Sequence, residues 1–99
     1  MGEAAGSRRR HPQASAEAAR ERASEAQRHA RDVAQQLSST AERVAETFED
    51  VAHRKDVQAD AADSQDASGH RGDARRAREF ADKERTESRR LREQWDLPS

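Results

Sequence analysis

The sequence predicts an all-α protein, a long helix followed by a shorter one that folds back as an antiparallel, coiled-coil-like hairpin. Three observations support this. Twenty of the 99 residues are Ala, with many Glu, Arg and Gln beside them and no Ile, Tyr or Cys, so strong helix formers dominate and strand formers are scarce. Apolar residues recur at helical spacing over 15–59 and again over 74–95. Between them, 60–73 holds two Gly, two Ser and four Asp, the composition of a connecting loop.

Residues 1–13 contain two Gly, the triplet Arg8-Arg9-Arg10 and Pro12, without periodicity. They read as a disordered basic arm. The hairpin is expected over 14–97. Ser15 suits a helix N-cap, with Glu17 in the first turn where the helix dipole favours an anion.

At 100° per residue, Ala16, Ala19, Ala23, Ala26, Ala30, Val33, Ala34, Leu37, Ala41, Val44, Ala45, Phe48, Val51 and Ala52 fall on one apolar stripe. The eleven-residue spacing of Ala30, Ala41 and Ala52 predicts a nearly straight rod. After the loop, Asp73 is placed to cap the second helix. The stripe of that helix is Ala77, Phe80, Ala81, Ser88, Leu91 and Trp95, interrupted by Glu84, and Pro98 ends it.

Setting residue 59 level with 73 gives a register for the pair. Phe80 then meets Phe48, Val51 and Ala52. Leu91 meets Ala41 and Val44, and Trp95 reaches Val33 and Leu37. The expected packing set is Val33, Leu37, Val44, Phe48, Val51, Phe80, Leu91 and Trp95. The flanks agree, because Glu42, Glu46, Glu49 and Asp56 face Arg78, Arg85, Arg89 and Arg92 across an antiparallel pair.

Composition excludes several functions. The net charge of −1 gives no global field for nucleic acid or an anionic membrane. Arg outnumbers Lys 17 to 2, a bacterial-type, GC-rich bias. No apolar run is long enough for a leader or a membrane span, and Cys is absent, which together fit a cytoplasmic protein.

No nucleophile–base arrangement or Gly-rich phosphate loop appears, so no enzyme, small-molecule substrate or cofactor is expected. Glu25/His29 and Glu49/His53 are spaced i,i+4 rather than as the i,i+3 metal motif of helix bundles, so no metal is expected. Arg71-Gly72-Asp73 matches an adhesion tripeptide, but a helix cap at Asp73 accounts for it.

Only eleven residues apart from Ala are large and apolar. Burying one contributes roughly 1.5–3 kcal/mol, against an ordering cost of about 1.5 kcal/mol per residue. So thin a core gains from a protein partner or a second copy, and the expected function is an interaction or self-association module. The alternative is nucleic-acid association through the Arg78, Arg85, Arg89 and Arg92 ridge and the basic arm.

Overall fold

A computed structural model describes residues 12–98. The arm expected over 1–13 lies outside the described residues, except for Pro12 and Gln13, which open a helix. That helix, α1, runs Pro12–Ala61, and α2 runs Ser64–Trp95. The long-plus-short helical hairpin is therefore the observed fold.

The boundaries differ from expectation at both ends of α1. The helix begins before Ser15, which lies inside its first turn instead of capping it. Proline is favourable at a helix start, because its fixed φ is helical and its missing N–H would have no partner there. The larger correction concerns 60–73. Only Ala62 and Asp63 interrupt the helices, and Ser64 through Asp73 are helical. Asp63 (φ −68°, ψ 170°) is the N-cap of α2, and its Oδ1 accepts from the Asp66 N–H at 3.0 Å.

Asp73, expected as that cap, sits ten residues downstream. It pairs with Lys55 at 3.7 Å across the hairpin and with Arg76 on its own helix. The two glycines of the segment both take negative φ, so here they are helical residues of low propensity rather than turn formers. At the far end, Asp96 adopts the left-handed region (φ 48°, ψ 53°), and its N–H is donated to the Arg92 and Glu93 carbonyls. The Leu97 N–H closes on the Arg92 carbonyl at 2.9 Å, and Pro98 follows.

Two units are distinguished along the chain, through Asp32 and from Val33 onward. In the first, the described side chains 13–32 are all exposed or half-exposed. The second is the hairpin proper, and its core consists of small residues. Ala34, Ala41, Ala45, Ala52 and Ala59 of α1 are buried, as are Ala67, Ala74, Ala77 and Ala81 of α2. Ser38 and Ser88 are fully buried.

On each helix the buried positions follow one another at steps of three, four or seven, the heptad spacing of two helices packed along a shared seam. The eleven-residue line through Ala30, Ala41 and Ala52 is not the one followed. Ala41 and Ala52 lie on both lines, but the seam is turned toward Ala45 and Ser38 and away from Leu37.

Candidate interaction surface

The Ser38 Oγ lies 2.8 Å from the Ser88 Oγ and donates to the Ser88 carbonyl at 3.4 Å. Either hydroxyl can donate to the other, so both buried hydroxyls are satisfied. Stepping by sevens from this pair brings Ala45 level with Ala81, Ala52 with Ala74, and Ala59 with Ala67. All eight residues are buried. The expected register, 59 level with 73, is thus replaced by 59 level with 67. A two-residue connection cannot span the wider loop that the earlier register needed.

The two flanks of this seam differ in kind. On one, Glu42, Glu49 and Asp56 of α1 pair with Arg92, Arg85 and Arg78 of α2, at 3.2 Å for the first and 2.8 Å for the second. All three pairs repeat at seven residues. Of the expected acidic and basic rows, only Glu46 and Arg89 fall outside this zipper; Arg89 donates to Thr86 Oγ1 within α2.

The Arg78 pKa is raised above its ordinary value chiefly by the hydrogen bond to Asp56, while desolvation opposes and the charges of Asp56 and Glu49 add. The Arg85 pKa is raised first by its hydrogen bond to Glu49. An upward shift on a cation means that its stabilising effect is complete below the ordinary guanidinium value and is lost only as pH rises beyond it. Each pair is partly exposed and screened by water, so the zipper selects a register more than it supplies stability.

The opposite flank carries the large apolar residues. Phe48 and Phe80 stack with ring centroids 5.2 Å apart, and Phe48 and Val51 pack on the Ala52–Ala74–Ala77 cluster. This is the contact expected for Phe80. The flank is nevertheless uncovered. Phe80 is 50% exposed, Leu37 54% and Val33 40%, while Val44, Leu91 and Trp95 are half-buried. Of the expected packing residues, Val33, Leu37 and Phe80 therefore present surface, and none of the eight is fully buried.

Sequence reasoning weighted side-chain size and missed Ser38, which lies outside the predicted stripe. A three-four alternation of Ala and Ser was the signal that could have found it.

The remaining candidate sites are not assembled. Arg71-Gly72-Asp73 is helical, with Arg71 beside Asp60 at 3.9 Å. Glu49 is engaged by Arg85, and His29 and His53 are exposed. Among the described residues, no group of three or more His, Cys, Asp or Glu could hold a metal ion, and no helix is long and apolar enough to cross a membrane. No protein-family model, curated protein or solved structure matches this chain.

Proposed function

We propose that the chain is a cytoplasmic helical interaction module that binds another protein or a second copy of itself and carries out no catalysis. The observation that supports it is the uncovered flank, where Leu37 and Phe80 stay half-exposed although they lie on an otherwise zipped hairpin. Contiguous exposed apolar surface bordered by polar residues is characteristic of association sites. Residues 13–32 add a second reason, because an isolated helix of this length is marginal in water and gains from a partner.

A photo-crosslinking residue at position 37, introduced in the producing cell, tests the reading. Discrete protein adducts are expected from position 37 and not from Arg75, an exposed residue on the other side of α2. Equal, diffuse labelling from both positions, with a purely monomeric protein, would refute it. Nucleic-acid association through Arg78, Arg85, Arg89 and Arg92 is the alternative, and it would require breaking three ion pairs. Salt-sensitive binding lost on Arg89→Glu would support that alternative, and no gel shift at about 50 mM salt would remove it.

A further inference from the structure

The second helix, α2, has two rows of cations at seven-residue spacing, one on each side of the seam. Arg78, Arg85 and Arg92 are taken by the acidic row of α1. Arg76, Lys83 and Arg90 border the uncovered flank, and all three are exposed. The hairpin register sets them opposite residues 50, 43 and 36, level with Val51, Val44 and Leu37. Across the flank, the edge of α1 reads Thr40, Thr47 and Arg54, so it offers this row no acid.

The second row is turned toward the flank. Lys83 Nζ lies 5.6 Å from the Phe80 ring centre. Arg76 and Arg90 reach back three residues to Asp73 and Glu87, and Asp73 itself faces α1 through Lys55. Both intrahelical pairs are exposed, and a guanidinium with five N–H donors keeps some for a further carboxylate. The remaining acid on this side, Glu84, is half-buried at the seam.

We propose that this flank binds a helix of a different protein, one whose apolar stripe is bordered by acids at heptad spacing. The proposal rests on the interaction reading above and names the chemistry of the partner. Rows of period seven line both sides of the flank, large and apolar on α1 and cationic on α2. They match the repeat of a third helix lying along them. That helix covers Leu37, Val44, Val51 and Phe80, and its acids repeat on this side the zipper of the other.

A second copy of the chain does not supply such a row. The only acids that recur three times or more at seven-residue spacing are Glu42, Glu49, Asp56 and Asp63. The first three are paired within the hairpin, and Asp63 caps α2. The exposed Ala stripe of 13–32 is bordered by Arg20 and Arg22, the same sign as the row it would have to meet.

The test uses two fluorescently labelled helical peptides of about four heptads, each with one Leu stripe. One has Glu at the bordering heptad position and the other Lys. Anisotropy titration with the full chain is expected to show the Glu-edged peptide binding about tenfold more tightly. Lys83→Glu/Arg90→Glu is expected to reverse that order. Arg75→Glu/Arg89→Glu makes the same change in charge on the outer side of α2 and is expected to leave it. Circular dichroism establishes that both variants remain helical.

Equal effects of the two variants would show a general charge effect and overturn the proposal. Equal binding of the two peptides, or binding of neither, also overturns it; discrete protein crosslinks from position 37 would then still uphold the interaction reading, and their absence would remove both. A dimer in sedimentation equilibrium that is lost on Lys83→Glu/Arg90→Glu would make a second copy the occupant and overturn the heterologous partner.

Discussion

Ser38 and Ser88 illustrate how much a single layer of this hairpin depends on complete pairing. Each hydroxyl is fully buried and each satisfies the other. Removing one partner strands the other in an apolar seam, at a cost of about 1–3 kcal/mol, whereas removing both leaves nothing unsatisfied. Ser38→Ala and Ser88→Ala are therefore each expected to lower thermal stability. The double variant is expected to recover most of the loss, since it extends the Ala seam by one layer. A double-mutant cycle followed by thermal melts measures this. Strictly additive losses would show that the two hydroxyls do not meet.

The same packing logic applies to Ala52, which is fully buried against Ala74. Ala52→Leu inserts a branched side chain where the helices touch and is expected to cost about 1–3 kcal/mol in chemical unfolding. Hydrophobicity alone would make the same change favourable, so its sign separates a close small-residue seam from a conventional apolar core.

At the scale of elements, α2 begins ten residues earlier than its composition indicates. Gly69 and Gly72 read as loop residues, and each costs about 1 kcal/mol relative to Ala inside a helix. That cost is offset locally. Asp63 caps the first turn, Ala67 and Ala74 take seam positions, and Asp60 and Lys55 reach Arg71 and Asp73 from α1. Tertiary contacts of this sort cannot be read from propensity in the segment itself.

A Cβ at Gly69 would meet nothing within 4 Å, and one at Gly72 would only touch the end of the Arg76 side chain at 3.7 Å. Gly69→Ala and Gly72→Ala are each expected to stabilise the hairpin by about 0.5–1 kcal/mol in urea titration. Asp63→Ala is expected to destabilise it by about 1 kcal/mol. Destabilisation by both alanines at the glycine sites would mean that 64–73 is not helical in solution. The ion-pair zipper, by contrast, was legible, because the heptad rows 42/49/56 and 78/85/92 are set by spacing and sign alone.

For the whole molecule, the repeat that builds the seam also makes it degenerate. Sliding α2 by seven residues would still set Ala on Ala, and would bring Glu42 to Arg85 and Glu49 to Arg78. Three features break the tie: the two-residue connection at Ala62–Asp63, the Phe48–Phe80 stack and the Ser38–Ser88 layer. Helical class and antiparallel pairing follow from composition and periodicity. Which face of α1 is buried does not, because apolar residues cover a wide arc that includes both the Ala seam and the Val/Leu/Phe flank. Close approach of two backbones decided in favour of the small residues.

Hydrogen exchange is expected to divide the chain accordingly. Amides of the paired helices over 33–95 should open together with the highest protection, while those of 13–32, whose side chains are nowhere buried, should exchange faster in the monomer. Uniform protection from 13 onward at low concentration would contradict the two-unit division.

Cysteine pairing reads the register most directly, because the chain has no cysteine of its own. Ser38→Cys/Ser88→Cys puts two thiols where the hydroxyl oxygens lie 2.8 Å apart, close enough for a disulfide after small adjustment. Mild oxidation at low concentration is expected to give rapid intramolecular closure of that pair. Ser38→Cys/Ala81→Cys, one heptad out of step, should close slowly or only between molecules. Equal closure of both pairs, or preference for the second, would contradict a hairpin locked at Ser38–Ser88 and the surface built on it.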